Sequence, residues 1–295
     1  MEAGDVLEEV AAESWDGPFD DAIRARALAA LEDGRVVYLP RLRFALQGQE
    51  SAFLDVGALD ASRKNITFDP ATGRCHGTAH TGERLAGMVA MLDRFGRQAE
   101  GLLQGLVPAY APYLQRARAS FRPAEIRGRN TSPRHDDRRL HVDAFPTRPT
   151  SGRRILRVFT NVAPQGVPRE WRVGEPFPVF ARAFLPRVRR PLPGELWAMH
   201  LAGLTKGRRS RYDHLMLGLH DAAKLDTAYQ SNAPAADVAF PPGSTWLCFT
   251  DAVLHAAMSG HGALEQTFHL PVEAMAAPEK SPIRVLERLS GQVLA

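Results

Sequence analysis

The second half of the chain is divided into short runs of β-forming residues, and this feature limits the fold more than any other. After residue 120 the runs are separated by proline, glycine and arginine, and proline and glycine end strands and start turns. Several short strands joined by turns are typical of a β-sandwich or barrel. We therefore predict a β core built from Arg139–Phe145, Ile155–Val162, Val238–Phe240, Thr245–Phe249, Val253–Ser259 and Leu264–Val272.

The first 120 residues have a mainly helical pattern. Asp20–Gly34 has apolar residues at helical spacing, with aspartate at its start and glycine at its end. Arg35–Pro40 is a short apolar run closed by proline, which predicts a strand. Thr81–Arg116 has a long helical pattern that predicts two helices divided near Pro108.

These patterns predict an α+β protein with a mainly β core. We expect a helical part at 1–120 to pack on a core at 121–295, so that the chain forms one integrated domain. Helical spacing in Tyr212–Tyr229 predicts an insertion between strands at about 185–235. Ser281–Leu289 should form a short closing helix, because proline suits the first turn.

Composition excludes some classes of site. No apolar run approaches the roughly 20 residues of a membrane span, and the first residues are acidic, unlike a secretory signal. We therefore expect a cytosolic protein.

Only two cysteines occur, Cys75 and Cys248, and they are too few for a cysteine-rich zinc site. The ligands of any bound metal would therefore be histidines and carboxylates.

The net charge of +4 is small but unevenly distributed. Arg116–Arg172 is rich in arginine and contains no lysine. The planar guanidinium group suits carboxylates and phosphates, which favours an anionic ligand or surface. A solvated basic face would give the same composition.

The segment Arg138–Pro146, RRLHVDAFP, contains a candidate metal site. In an extended chain residues i and i+2 point to the same side, so His141 and Asp143 project together. With one more histidine they would form the two-histidine, one-carboxylate triad of non-heme iron(II) oxygenases. The tripeptide alone is weak evidence, because a capping or salt-bridging pair would have the same sequence.

Three later histidines could be the third ligand. His255 lies on a predicted strand and is favoured. His269 lies on the strand that we expect to pair with that of His255, and it is the alternative. His261 is flanked by glycines in a turn, where an exposed polar residue is expected.

The block Arg139–Phe177, with its flanking pieces Arg63–Thr78, Arg129–Asp143 and Phe249–Pro271, resembles the bacterial 3-deoxy-D-manno-oct-2-ulosonic acid (Kdo) hydroxylases. The resemblance extends over about residues 35–290. It implies a double-stranded β-helix (jelly-roll, cupin-like) fold, iron(II), 2-oxoglutarate and dioxygen, with ascorbate as a supporting reductant. It places the metal ligands on His141, Asp143 and His255. It also implies hydroxylation of carbon 3 of Kdo in Kdo-lipid A of the lipopolysaccharide inner core.

One position departs from the wider superfamily, in which many members have a basic residue after the distal histidine to hold the far carboxylate of 2-oxoglutarate. Gln266 stands in that region here, and a neutral amide cannot neutralise a carboxylate. We therefore predict that Arg157 pairs with the cosubstrate, because an arginine buried among Ile, Leu, Val and Phe needs an anionic partner. By alternation it would share one strand face with Phe159 and Asn161. Gln266 and Asn161 are the expected neighbours in the cosubstrate site. Alternatively, Arg157 faces solvent.

Arg127, Arg129, Arg134 and Arg138 are predicted to bind the anionic acceptor, with peripheral contact at the inner face of the inner membrane. No nucleic acid-binding motif occurs, so we expect no nucleic acid partner. Three other functions stay open. They are a 2-oxoglutarate dioxygenase acting on another small or lipid-linked anion, a non-catalytic β-barrel anion-binding module, and a zinc hydrolase with the same ligands.

Overall fold

The computed structural model of the protein describes residues 1–164, 166–192 and 194–294, and their strands form two sheets. The larger sheet has eight strands in the order β1-β2-β9-β6-β11-β5-β3-β4. They are β1 (Leu7–Glu9), β2 (Val36–Leu39), β3 (Ile66–Asp69), β4 (Arg74–His76), β5 (Gln115–Arg122), β6 (Arg154–Asn161), β9 (Thr245–Phe249) and β11 (Ala263–Leu270). The smaller sheet has the order β10-β7-β8, with β7 (Arg169–Gly174), β8 (Ala235–Phe240) and β10 (His255–Ser259).

Eight α-helices occur within the described residues, and several begin at a residue that caps the first turn. They are α1 (Ala3–Val6), α2 (Asp21–Glu32), α3 (Gly82–Leu106), α4 (Phe177–Phe184), α5 (Glu195–Leu201), α6 (Arg211–Leu225), α7 (Thr227–Asn232) and α8 (Pro282–Ser290). The Asp20 carboxylate accepts a hydrogen bond from the backbone N–H of Ile23, and the Ser281 hydroxyl caps α8 with Pro282 in its first turn. No described helix has the length and apolarity needed to cross a membrane.

Alternation along the central strands decides what the larger sheet presents on each face. Leu156 and Val158 of β6 face a core shared with α2, α3, α4 and α8. Phe159 of β6 and Trp246 of β9 face the smaller sheet and pack against its Trp171. The two sheets therefore pack face to face through an aromatic layer, which confirms the α+β class and the double-stranded β-helix.

The part before residue 120 supplies more β structure than the sequence indicates. Strands β1 to β5 begin there, and all of them join the eight-stranded sheet. The expected boundary at 120 falls inside β5. The prediction of a second α-helix after Pro108 is wrong, because residues Pro108–Tyr113 form a 3₁₀ helix. Pro108 and Pro112 have no backbone N–H group to donate to an α-helix.

Three other elements differ from expectation. Arg139–Phe145 is extended but forms no strand, and it has only one isolated bridge, between His141 and His255. The strand β7 and the helix α4 were not predicted. The helical insertion begins at α4 and continues to the end of α7, close to the expected range of 185–235.

Candidate metal centre and adjoining pocket

A pocket opens between the two sheets at the isolated bridge. The backbone N–H of His141 donates to the carbonyl of His255 at 3.1 Å, and the N–H of His255 donates back at 2.9 Å. The N–H of Asp143 donates to the carbonyl of Thr250 at 2.8 Å. These bonds hold the segment against the start of β10. The pocket is lined by Arg122, Asp137, His141, Asp143, Arg157, Phe159, Arg169, Trp171, His255, Ala257, Ala263 and Glu265.

Three side chains converge at the inner end of this pocket. One ligand atom from each of His141, Asp143 and His255 lies within 4.8 Å of the other two. The Nε2 atom of His141 is 3.9 Å from the Oδ1 atom of Asp143, and the two imidazole centroids are 4.7 Å apart. The spacing of two residues projects both side chains to one side because the backbone is extended there, although it is not part of a strand.

Both histidines are set to present the same nitrogen. The Nδ1 atom of His141 lies 2.7 Å from the carbonyl oxygen of Arg139, and that of His255 lies 2.9 Å from the carbonyl oxygen of Val253. A carbonyl can only accept, so each Nδ1 carries the proton and each Nε2 has a free lone pair. Burial lowers the pKa of both imidazoles below the usual value, which keeps them neutral. Neutral imidazoles with free Nε2 atoms are metal ligands.

Asp143 supplies the negative charge. Burial opposes its ionisation, but the charge of Arg157 holds the pKa of Asp143 well below its usual range. Its Oδ2 atom is buried and accepts no hydrogen bond within the described residues. The Nη1 atom of Arg157 lies 3.2 Å from that oxygen, near enough for an ion pair but not oriented for a hydrogen bond. A buried carboxylate oxygen without a hydrogen bond, beside two free Nε2 atoms, fits the donor set of an iron(II) facial triad.

Two aromatic side chains support the ligand rings. Trp171 stacks on His255 with centroids 5.1 Å apart. His220 of α6 meets the ring of His141 edge-on at 5.4 Å. The helical insertion therefore contacts the metal site directly.

Three arginines lie in the pocket wall, and two of them are paired with acids. Arg157 Nη1 is 3.0 Å from Glu265 Oε1, in addition to its pair with Asp143. Arg122 donates to Glu265 Oε2 from Nε at 3.2 Å and from Nη2 at 3.0 Å. Opposite charges therefore compensate both guanidinium groups.

Arg169 differs from the other two. It is 3% exposed, and it donates to the carbonyl of Gly260 at 2.8 Å. Within the described residues no carboxylate lies at ion-pair distance from it, and burial lowers its pKa to about 9. A buried arginine without an acidic partner is costly unless an anion binds beside it. Of the three pocket arginines, Arg169 is therefore the one without a carboxylate at ion-pair distance in the described chain.

The two expected neighbours of Arg157 lie outside the pocket, and both expectations are corrected. Gln266 faces α3, and its amide donates to the carbonyls of Ala117 at 3.0 Å and Thr267 at 2.7 Å. Glu265 faces the pocket instead, because successive residues of a strand point to opposite faces. Asn161 shares the face of Arg157 but binds backbone groups, donating to the carbonyl of Phe240 at 2.9 Å.

None of the four predicted substrate arginines lines the pocket. Arg134 lies 3.2 Å from Asp221, and Arg138 lies 2.9 Å from Asp136. Arg127 is exposed and lies 3.0 Å from Glu170. Arg129 donates to two backbone carbonyls, those of Ala124 and Glu125, and has no acidic partner at ion-pair distance among the described residues.

The other two candidate histidines lie apart from the triad. Strand β11, which carries His269, pairs with β5 and β6, whereas β10 pairs with β7. The expected pairing between the strands of His255 and His269 is therefore wrong. His261 lies in its turn, 3.8 Å from the Oε2 atom of Glu125.

Several pocket residues were missed at the sequence level. Arg122, Arg169 and Glu265 each lie on a strand and face inward with its alternate residues. Arg169 and Trp171 are two residues apart on β7 and therefore share one face of the strand. A sequence pattern that indicated β7 would also have placed Arg169 on the face of Trp171. Glu265 and Gln266 are adjacent, so they point to opposite faces of the strand. Which of them faces the pocket cannot be determined until the orientation of the strand is known.

Comparison with known proteins agrees with this geometry. A sequence model for the family described as 3-deoxy-D-manno-oct-2-ulosonic acid (Kdo) hydroxylase matches residues 14–293. The crystal structure of the Kdo hydroxylase KdoO, a non-heme Fe(II) alpha-ketoglutarate-dependent dioxygenase, in complex with alpha-ketoglutarate and Fe(III), is 46% identical. The alignment covers 98% of this chain and 97% of that chain with a TM-score of 0.95.

The apo structure of KdoO is 47% identical, with the same coverage and a TM-score of 0.95. The complex of KdoO with succinate and Fe(III) is 46% identical, covers 98% of this chain and 97% of that chain, and has a TM-score of 0.94. A search among curated proteins finds no match to the chain. The family match extends over nearly the whole sequence, and the chain belongs to the Kdo hydroxylase family.

Proposed function

We propose that this protein is an iron(II)- and 2-oxoglutarate-dependent dioxygenase that hydroxylates Kdo. The observation that carries the proposal is the buried triad of His141, Asp143 and His255 beside an arginine-rich pocket. The family match and the complexes of KdoO with alpha-ketoglutarate or succinate support it.

The metal with its cosubstrate supplies the oxidising power needed to place an oxygen atom into a C–H bond, which no amino-acid side chain can provide. The chain's own residues hold and orient the reactants. His141, Asp143 and His255 would hold the metal, and a set of only three protein ligands would leave room for the cosubstrate beside it. Phe159 and Trp171 line the pocket with apolar surface, which would help to exclude water around the reactants.

Charge balance in the pocket favours a dianion such as 2-oxoglutarate. The three arginines in the wall are matched in number by the carboxylates of Asp137, Asp143 and Glu265. A divalent metal would add two positive charges, and a dicarboxylate would neutralise them. Burial makes such neutralisation favourable, because an uncompensated charge is costly in a low-dielectric site.

We propose that Arg169, together with Arg157, holds the far carboxylate of the cosubstrate. Arg169 has no competing acid at ion-pair distance in the described chain, and the Nε atom of Arg157 is buried without a hydrogen-bond partner there. A carboxylate placed between them would satisfy both groups.

The acceptor is proposed to be Kdo-lipid A or a related anionic glycolipid, hydroxylated at carbon 3 of the sugar. Arg129 is the best of the four predicted arginines to meet its carboxylate, because it has no ion-pair partner of its own. Arg127, Arg134 and Arg138 would add positive potential around the mouth. The protein would work peripherally at the inner face of the inner membrane, with ascorbate as a supporting reductant.

The test is turnover by the purified protein with anaerobically loaded iron(II), 2-oxoglutarate, air and Kdo-lipid A. We expect succinate and a product heavier by one oxygen, with label from ¹⁸O₂ in the product. A product that forms without 2-oxoglutarate and gains the elements of water, with its new oxygen derived from water, would favour a hydrolase. If succinate is released with a different anion and no Kdo compound gains mass, the protein is a dioxygenase but Kdo is not its substrate.

A further inference from the structure

The helical insertion exposes a group of large apolar side chains. Leu192, Trp197, Leu201 and Leu204 are 67%, 56%, 63% and 60% exposed. Trp197 and Leu201 are four residues apart, so they lie on the same face of α5 and its continuation. A cluster of this kind on a soluble surface marks an interaction site, because single exposed apolar residues are common but groups of them are not.

The same segment concentrates positive charge. Residues 182–211 contain seven arginines and one lysine against one glutamate, Glu195, so their net charge of +7 exceeds that of the whole chain, +4. Five of these cations are exposed and form no ion pair with any described residue: Arg182, Arg190, Lys206, Arg208 and Arg211. We call the exposed side chains of residues 182–192 and 194–211 the insertion patch.

The insertion patch is connected to the metal centre. The backbone N–H of Lys206 donates to the carbonyl of Thr147 at 2.9 Å, on the segment that follows Asp143. Helix α6 starts beside the patch at Arg211 and carries His220, whose ring meets that of His141. At 1.5 Å per residue, Arg211 and His220 are about 14 Å apart along the helix. A surface bound to the patch would therefore lie one short helix away from the metal centre.

We propose that the insertion patch docks the protein on an anionic phospholipid membrane; this inference rests on the proposed action on a lipid-linked sugar. Leu192, Trp197, Arg208 and Arg211 line one cavity. Apolar side chains beside unpaired arginines are typical of interfacial membrane contacts. Clustered arginine and lysine side chains are attracted to anionic headgroups by about 1 kcal/mol each. Charge complementarity selects an anionic bilayer over a second copy of this chain, whose patch would carry the same positive charge.

Binding of the full-length, metal-loaded protein is measured with vesicles of phosphatidylglycerol and phosphatidylcholine, and with vesicles of phosphatidylcholine alone. We expect cosedimentation with the anionic vesicles only, weakening as salt rises. Trp15, Trp171 and Trp246 are buried and Trp197 is exposed, so a blue shift of tryptophan fluorescence on binding reports insertion of Trp197.

Matched variants test the position of the surface. Arg190→Glu with Arg208→Glu should lower the partition coefficient about tenfold or more, whereas Arg63→Glu with Arg84→Glu, also exposed, should change it little. Trp197→Ala should weaken cosedimentation, and Tyr113→Ala, another exposed aromatic position, should not. The thermal midpoint of each variant establishes that it is folded.

Equal binding to neutral and anionic vesicles, no binding, or equal effects of patch and control variants would overturn the docking surface. A dimer in sedimentation velocity that the patch variants dissociate, without vesicle binding, would assign the patch to self-association and overturn it as well. Turnover of a short soluble Kdo sugar separates the two proposals. If it persists in the patch variants, the activity stands whatever the vesicles show. If no Kdo compound is turned over, the vesicle result still decides the surface.

Discussion

Replacing Arg169 with methionine should weaken 2-oxoglutarate binding without destabilising the protein. Arg169 is buried, its pKa is lowered to about 9 by burial, and it has no carboxylate within ion-pair distance in the described residues. Burial of a guanidinium group without an acidic partner is unfavourable, and methionine would remove that cost. The lost hydrogen bond to Gly260 would offset part of this gain.

The expected loss of cosubstrate affinity follows from the bond removed. A charge-assisted hydrogen bond to a carboxylate contributes about 1.5–3 kcal/mol. The 2-oxoglutarate concentration for half-maximal succinate release should therefore rise about 10- to 150-fold. By differential scanning fluorimetry, the metal-loaded Arg169→Met protein should keep or exceed the wild-type melting temperature without 2-oxoglutarate. It should lose most of the rise that 2-oxoglutarate causes in the wild type.

Arg172→Met is the matched control. Arg172 lies on the same strand but on the opposite face, 3.7 Å from Asp237, so the 2-oxoglutarate requirement should not change. A wild-type requirement in Arg169→Met would refute the assignment. A drop of several degrees in the melting temperature without ligand would show that Arg169 is satisfied by the protein alone.

The remaining predictions concern the metal, the cosubstrate and pH. Alanine at any one of the three ligand positions should abolish iron binding, measured by anaerobic titration, while His269→Ala should retain it. Arg157→Ala should raise the 2-oxoglutarate requirement and Gln266→Ala should not, because Gln266 faces α3. Equal affinity in the Arg157→Ala protein and the wild type would contradict the proposed contact. Urea unfolding of the metal-free chain should show lower stability at pH 5.5 than at pH 7. Burial lowers the pKa of the ligand histidines, so the unfolded chain takes up protons first as pH falls below about 6.5. A flat profile over that range would contradict this reasoning.

The donor set of the candidate site could be recognised from local sequence. His141 and Asp143 project together because any extended backbone places residues i and i+2 on one side, whether or not a ladder forms. The expected strand is absent, yet the two side chains meet. The choice of the third ligand could not be settled from the sequence, because two later predicted strands each contain a histidine, His255 and His269. The sequence favours His255 without excluding His269.

The local sequence does not determine which side chains of the longer strands face the pocket. On β11 the alternation places Glu265 in the pocket and Gln266 against α3, and a shift of one residue exchanges the two. The pairing of β11 with β5 and β6 determines which face is which, and those partners are distant in sequence. The same long-range pairing brings Arg122 and Arg169 into one wall.

The β-rich core, the chemical nature of the metal ligands and the family could be predicted from the order of the residues alone. These depend on residue type, short spacing and a long specific motif, all of which are local properties of the chain. The folded arrangement was needed to show which arginines are compensated by acids, which one is not, and which basic segment remains exposed beside apolar side chains. Those outcomes depend on the distances between residues far apart in the sequence, because charge compensation and burial are properties of neighbours in space.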